Sequence, residues 1–422
     1  MQEELLQFIW KEGLFNSNAL QTTTGVSLFF ENRGQVNSIS GPDFSEAKIR
    51  IDDTLWAGSV EIHLRSSDWF RHGHEKDKAY DNVILHVVFE NDVEVQNSKG
   101  EIIPAFELKG RVPSTILAKY DYLKSTKNRI ACADHVQDYP QLKFRMWLQR
   151  ILVSRLDRKS RDIELIHNHS NADWLQTFYV LFAGYLGQNT NKLPFQELAR
   201  KLPFAILSKH ADNSLQLEAM LFGVADLLSK EARHDYEAEL KREFDFLSRK
   251  YNLESIKQLW KFGGIRPDAF PFRRVALLAS LVPFIQWSCD QVLSTNLKSI
   301  RWPEIPPHEF WDHHYTFNKV SSKSSPIAIS AGLQQLLGIN VIVPFAFFYG
   351  RATGNEAFID SAISFLESID PEDNQHVKSW RSLNFRASNA ADTQALIELT
   401  TQYCVHKNCV ICSVGKSIIS KQ

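Results

Sequence analysis

The chain has 422 residues, 44% of them hydrophobic and 23% charged, which is sufficient for two or three domains with a large core. Its 48 Lys and Arg side chains against 49 Asp and Glu give a net charge of −1. This balance excludes a protein coated in basic surface but leaves room for a local basic groove. The first residues lack the cationic start of a signal peptide, and no apolar run approaches the ~20 residues of a membrane span. We therefore expect a cytoplasmic protein without a membrane partner.

Residues 1–130 have the pattern of a small α/β domain with a mixed sheet flanked by helices. Apolar residues at helical spacing predict a first helix that ends near Gly13. Residues 66–80 are predicted to be partly helical. Gly, Pro, Asn and Asp turn signals separate the predicted strands, which are Val26–Phe30, Ala47–Ile51, Thr54–Arg65, Val83–Glu90 and Ile102–Leu108.

From residue 131 to 422 the pattern changes to long apolar stretches at the 3.6-residue period of helices. The whole chain is therefore predicted to be an α+β protein, with a small α/β domain over 1–130 and a mainly helical domain over 131–422. Pro and Ser are frequent between 294 and 330, which indicates a linker or a long loop that divides the helical region.

Two carboxylates define the candidate active site. Asp43 lies just before the predicted strand Ala47–Ile51, and Glu61 lies within the predicted strand Thr54–Arg65. If these strands pair as a hairpin through Asp52-Asp53, both carboxylates fall near the same end. Two oxygen ligands there would hold Mg²⁺ or Mn²⁺ and leave positions for water and a phosphate oxygen.

His63 and Arg65 share the strand face that carries Glu61, so this face is expected to line a polar cleft. An imidazole at His63 would orient or deprotonate an attacking water, because His titrates near neutral pH. Arg65 is the candidate on this face for the positive charge that stabilises the transition state and contacts nucleic acid. The alternative is a structural hairpin with a solvated Glu-x-His face.

Four of the 14 histidines lie between residues 63 and 86. One interpretation adds His72, His74 and His86 to the active site as metal or phosphate contacts. A second groups them with His63 as a separate transition-metal site, for which imidazole is the preferred ligand. In the third interpretation, His72 and His74 lie at a helix end and His86 is a hydrogen-bonded core histidine.

The C-terminus carries Cys404, Cys409 and Cys412, a C-x4-C-x2-C spacing that brings three thiolates within reach of one metal centre. Zinc and an iron–sulfur cluster both accept such ligands, and the fourth ligand would be His406, Cys132 or Cys289. Five cysteines in a chain of this length do not make a disulfide framework. The alternative is three reduced thiols packed as small hydrophobic side chains.

A basic helix is predicted from residue 143 to 161, with a buried stripe that includes Trp147 and Ile151. Its basic side chains are candidates for contacts with the phosphate backbone of DNA or RNA, and the alternative is a solvated helix face. These candidates are Arg145, Arg155, Arg158 and Lys159.

Several motifs together resemble the bacterial family of unknown function numbered 2851. They include Gly41-Pro42-Asp43-Phe44, Trp56-x-Gly58-x-Val-Glu-Ile-His63, His72-Gly-His74 and Val83-Ile-Leu-His86. Asp43 after a Pro, Glu61-x-His63 on a strand and the order helix, strands, helix, strand also resemble the PD-(D/E)XK nuclease fold. That resemblance implies that Asp43 and Glu61 bind the catalytic cation, with His63 where these nucleases carry Lys.

Three functions follow as hypotheses. The first is a metal-dependent nuclease in which Asp43 and Glu61 hold Mg²⁺ or Mn²⁺ and His63 acts on water. The second is a catalytically inactive nuclease-like module that binds nucleic acid or protein. The third is a zinc-dependent hydrolase that uses the histidine group. The sequence leaves the oligomeric state open.

Overall fold

A computed structural model describes residues 2–37, 39–232, 234–304, 309–321, 324 and 326–421. The protein is α+β, as predicted, and divides into two compact units. The first unit comprises Met1–Trp147 and Leu399–Gln422, so it extends past residue 130 and takes in the C-terminal cysteines; the second comprises Leu148–Glu398. Parts of the predicted linker, residues 305–308, 322–323 and 325, lie outside the described residues.

The first unit begins with helix α1, Glu3–Glu12. Leu5, Leu6, Ile9 and Trp10 recur at helical spacing and are all buried, because this apolar stripe faces the sheet. The helix ends at Gly13, whose φ of 68° is the left-handed conformation that favours glycine at this position. The predicted first helix and its end are therefore confirmed.

The sheet of the first unit is mixed, and each of its main strands contains or overlaps a predicted one. Its strands lie in the order β1-β3-β4-β5-β6, and the short β2 also pairs with β3. The pairs β1–β3 and β3–β4 are antiparallel, whereas β4–β5 and β5–β6 are parallel. The bounds are β1 Leu28–Asn32, β2 Gln35–Val36, β3 Phe44–Ile51, β4 Thr54–Arg65, β5 Val83–Glu90 and β6 Ala105–Glu107.

The hairpin between β3 and β4 has the predicted turn, since Ile51 lies opposite Thr54 across Asp52-Asp53. Between β4 and β5 the chain forms the short helix α2, Asp68–Arg71, and two single 3₁₀ turns, His74–Lys76 and Lys78–Tyr80. After β6 come α3, Ser114–Ser125, a 3₁₀ turn at Val136–Asp138, and the long helix α4, Gln141–His169.

The second unit is almost entirely helical. A short hairpin of β7, His314–Thr316, and β8, Lys319–Val320, interrupts the helices in a region for which no strand was predicted. The helices are α5 Trp174–Leu186, α6 Gln188–Lys201, α7 Phe204–Leu207, α8 Ser214–Val224, α9 Asp235–Tyr251, α10 Pro271–Ser280, α11 Val282–Leu293, α12 Glu309–His313, α13 Ala331–Leu337, α14 Val343–Thr353, α15 Glu356–Glu367, α16 Gln375–Arg381 and α17 Ala390–Glu398.

A π-helical turn, Gly338–Ile342, joins α13 to α14, and the continuous helical segment Ala331–Thr353 is 23 residues long. Its length and apolarity are sufficient to cross a membrane, and α10 with α11, bent by 63°, also meet that test as a pair. Because 67% of the apolar window in Ala331–Thr353 is buried inside the protein, the segment has the pattern of a core helix. The chain then returns to the first unit through a π-helical turn, Leu399–Cys404, and ends in α18, Ser413–Ser420.

Candidate metal centre in the first unit

Asp43 and Glu61 meet at the open end of the β3–β4 hairpin. The backbone N–H of Asp43 donates to Oε2 of Glu61 at 2.9 Å, and the backbone N–H of Ile62 donates to Oδ2 of Asp43 at 3.1 Å. Gln7 of α1 donates from its side-chain amide to Oδ1 of Asp43 at 2.8 Å. The expectation that the two carboxylates lie near the same strand end is therefore confirmed.

A third carboxylate, that of Glu3 at the start of α1, lies close to this pair. Burial, and next the negative charge of Glu61, raise the pKa of Asp43 to about 7 and that of Glu3 to about 6. Within the described residues, neither Asp43 nor Glu61 forms an ion pair with a Lys or Arg side chain. Partly buried carboxylates without a basic partner repel one another, and a bound cation would relieve that repulsion.

His63 lies next to this acidic group but does not face an open cleft, contrary to expectation. Glu61 and His63 are 5% and 1% exposed, because α1, α2 and the neighbouring histidines cover their face of β4. Burial lowers the pKa of His63 to about 2, with His86 as the next cause. His63 therefore stays neutral and does not replace the permanent charge of a lysine, while Arg65 is exposed at the end of the strand.

Three of the four histidines form one hydrogen-bonded group, and the ring of His74 stacks on that of His63. Nδ1 of His63 lies 2.8 Å from Nε2 of His86, and Nε2 of His63 lies 3.0 Å from Nδ1 of His72. These contacts are compatible with a tautomer in which Nδ1–H of His63 donates to His86, so that Nε2 of His63 carries a lone pair. A histidine that binds metal commonly donates its other N–H to such an outer partner.

Ligand atoms of His63, His72 and His74 all lie within 4.8 Å of one another. Oε1 of Glu61 lies 3.4 Å from Nε2 of His74 and 3.6 Å from Nε2 of His63. These separations are close to the ~3.3 Å between ligand atoms around a tetrahedral zinc with bonds of about 2.0–2.1 Å. The imidazole of His74, stacked on Tyr80, has its Nε2 buried without a hydrogen-bond partner. The donor set therefore fits a divalent cation.

A cleft of about 270 Å³ opens beside Asp43. Lys11 of α1 and Lys416 of α18 contribute basic side chains to its walls, and Val410 and Ile411 contribute apolar ones. The remaining lining residues are Glu4, Gln7, Phe8, Val36, Asn37 and Phe44. The roles of Lys11, Lys416 and Glu3 are not evident from the sequence, because only the folding of the two chain ends onto the sheet brings them to Asp43.

Three of the side chains predicted to contact nucleic acid instead bind other residues of the second unit. Arg155 and Arg158 form ion pairs with Oε2 of Glu398 at 2.9 and 2.6 Å, and Glu398 is 3% exposed. Lys159 donates from Nζ to Oδ1 of Asn340 at 2.7 Å, and burial lowers the pKa of Lys159 well below its usual value. These contacts stabilise the helical unit. Of the predicted basic group on α4, only Arg145 is exposed.

The C-terminal cysteines are buried free thiols, and the fourth cysteine near them is Cys132. Cys289 lies in α11 of the second unit, and His406 is exposed on the chain between Cys404 and Cys409. Of the three predicted candidates for a fourth ligand, the structure brings Cys132 to the group.

No curated protein and no solved structure shows significant similarity to the chain. A family model described as "Protein of unknown function (DUF2851)" matches residues 3–375. The matched residues include Asp43, Glu61 and the four histidines, and they end before Cys404. The chain therefore belongs to the DUF2851 family.

Proposed function

We propose that the first unit is a metal-dependent hydrolase of phosphodiester bonds in nucleic acid, with Asp43 and Glu61 holding Mg²⁺ or Mn²⁺. The observation that carries the proposal is the meeting of these two carboxylates, which accept hydrogen bonds from the backbone of Asp43 and Ile62, with Glu3 nearby and no Lys or Arg ion-pair partner among the described residues. A stable structural role would pair such carboxylates with Lys or Arg. In a cation-binding site such carboxylates lie close together without a Lys or Arg partner, as Asp43 and Glu61 do.

The surrounding residues fit a phosphodiester substrate. A divalent cation bound there would polarise a phosphoryl oxygen and lower the pKa of a bound water. His63 is a neutral imidazole, and the lone pair on its Nε2 makes it a candidate ligand of the cation. Lys11 and Lys416, on the walls of the adjoining cleft, would bind the phosphates of the substrate.

The order of elements supports the same proposal. Helix α1, the antiparallel strands, the short helix α2 and the parallel strand β5 follow in the order expected of a small nuclease core, with Asp43 immediately before β3 and Glu61 on β4. Because one fold can host many functions, the site carries the proposal and the fold only supports it.

Cleavage of labelled single- and double-stranded DNA and RNA, each with Mg²⁺ or Mn²⁺, tests the proposal. We expect the wild type to cut at least one substrate, and Asp43→Asn and Glu61→Gln to lose that activity while remaining folded. Glu31→Gln is the matched control, because Glu31 is a β1 carboxylate that pairs with Arg50. If the wild type is inert with all four substrates, the acidic pair is a scaffold and the unit is a binding module.

A second candidate is a zinc-dependent hydrolase that uses His63, His72 and His74 with Glu61. The close approach of their ligand atoms and the unpartnered Nε2 of His74 favour it. The two candidates make different predictions for His74→Ala. If zinc is the catalytic ion, this variant loses both bound zinc and activity, whereas a Mn²⁺ site on Asp43 and Glu61 retains Mn²⁺-dependent cleavage.

A further inference from the structure

Two segments that are far apart in sequence are joined in the first unit. Nζ of Lys407 donates to the carbonyl oxygen of Asn128 at 2.6 Å, and the hydroxyls of Tyr139 and Ser413 are hydrogen-bonded at 2.7 Å. These two bonds lie on either side of Cys132 in one segment. In the other segment, Lys407 and Ser413 lie on either side of Cys409 and Cys412. The fold thus brings Cys132 next to the C-terminal cysteines.

The four thiols form one buried group. Cys132 lies within electrostatic range of Cys409 and Cys412, and Cys404 lies within range of all three. All four are buried, each about 7% exposed. They are free thiols, so no disulfide accounts for their convergence.

Hydrogen-bond donors and a cationic side chain lie beside the sulfur atoms, while burial raises the pKa of all four thiols. The backbone N–H groups of Val414 and Gly415, at the start of α18, donate to the sulfur of Cys412. The indole Nε1 of Trp147 lies beside the same sulfur. Lys407 lies near Cys132, Cys404 and Cys409. Hydrogen bonds to the sulfurs and nearby positive charge are the outer interactions that support metal–thiolate centres.

The spacing of the sulfurs distinguishes between metal centres. Four cysteines on one zinc, with bonds of about 2.3 Å, place their sulfurs about 3.8 Å apart. Within the described residues, only the histidine group brings three such ligand atoms within 4.8 Å of one another. The cysteine sulfurs are therefore spread more widely than one ion requires. An iron–sulfur cluster distributes its cysteine ligands over several irons and accommodates wider spacing.

We propose that Cys132, Cys404, Cys409 and Cys412 bind an iron–sulfur cluster. The cluster links the C-terminal segment to the N-terminal part of the first unit. These two parts are separated in sequence by the residues of the second unit. Because Val410 and Ile411, between two of the ligands, line the cleft beside Asp43, the cluster also fixes one wall of that cleft. The proposal is independent of the proposed hydrolase activity.

Metal analysis of the full chain tests this proposal. The protein is purified without oxygen, incubated with ferric iron, a thiol reductant and sulfide, desalted, and analysed for iron, zinc and acid-labile sulfide. We expect iron and sulfide in equal amounts, about two or about four of each per chain, and a visible absorption band that dithionite bleaches. The matched control is Cys289→Ser, which replaces a buried cysteine of the second unit and should retain the cluster.

Cys132→Ser and Cys404→Ser are expected to lose most of the iron and to unfold several degrees lower than Cys289→Ser. A wild type that retains no iron overturns the proposal whether or not the variants fold. So does one zinc per chain that is lost in both variants, because that result assigns the thiols to zinc. Equal iron in Cys132→Ser and Cys289→Ser also overturns it.

Discussion

Asp43 and Glu61 are held together by backbone N–H groups, because the carboxylate of each accepts a hydrogen bond from the chain segment that carries the other. Glu61 accepts from the N–H of Asp43, and Asp43 accepts from the N–H of Ile62. This reciprocal pair fixes the separation of two negative charges that would otherwise move apart. Holding the two carboxylates close together costs free energy, and this cost is the physical basis of the proposed cation site.

The acidic pair should destabilise the metal-free protein. We predict that Glu61→Gln raises the free energy of unfolding by about 1 kcal/mol at pH 8 in the presence of a chelator, because the charge of Glu61 is a major cause of the raised pKa of Asp43. Chemical denaturation of the full chain measures this change. A loss of stability in Glu61→Gln, with no change in Glu31→Gln, would show that Glu61 is a structural carboxylate.

The lysines of the cleft should bind substrate rather than act in the chemical step. We predict that Lys11→Ala and Lys416→Ala raise KM, leave kcat nearly unchanged, and each reduce the salt dependence of binding by about one counterion. Lys48→Ala is the control, because Lys48 is exposed on β3 away from the cleft. If the salt dependence of substrate binding is equal in all three variants, Lys11 and Lys416 do not contact the substrate.

Glu398 should be essential to the helical unit. We predict that Glu398→Ala destabilises the second unit by about 3–5 kcal/mol, because the variant leaves the partly buried guanidinium of Arg155 without its ion-pair partner. Thermal unfolding followed by circular dichroism measures the effect. A change below about 1 kcal/mol would show that Arg155 and Arg158 are free for another role, such as the predicted contacts with nucleic acid.

Glu218 should make the stability of the second unit depend on pH. Burial raises the pKa of Glu218 to about 7, although Trp311 and Tyr236 both donate hydrogen bonds to its Oε2. The folded state therefore binds more protons than the unfolded state between pH 4.5 and about 7, so this contribution to stability falls as pH rises through that window. The full effect is about 3 kcal/mol.

Comparison with Glu218→Gln isolates this contribution, because Gln retains an acceptor for both donors and does not ionise. We expect the two proteins to have similar stability near pH 5 and Glu218→Gln to be the more stable at pH 8. Parallel stability curves for the two proteins between pH 5 and pH 8 would contradict the raised pKa of Glu218.

The sequence predicted the elements that depend on local pattern. The strand Thr54–Arg65 alternates apolar and polar residues, and α1 ends at a glycine, so period and turn chemistry were sufficient to locate both. The meeting of Asp43 and Glu61 was also predictable, because a tight turn fixes the register of the hairpin between them.

What the sequence could not predict depends on contacts between distant residues. Lys416 reaches the cleft beside Asp43 only because α18 returns to the first unit, and Glu398 meets Arg158 across 240 positions. The burial of His63 was missed for a related reason. Alternation along β4 indicates which side chains share a face, but it does not show that α1 and the other histidines cover that face.

Binding of Mn²⁺ to the purified, metal-free protein at pH 8 tests the central claim most directly. Calorimetric titration of the wild type, Glu61→Gln and Glu31→Gln compares the proposed ligand with an exposed carboxylate of the same sheet. We predict a Mn²⁺ site in the wild type and in Glu31→Gln that is weakened at least about tenfold in Glu61→Gln. Equal affinity in all three proteins, or no binding to the wild type, would contradict the account.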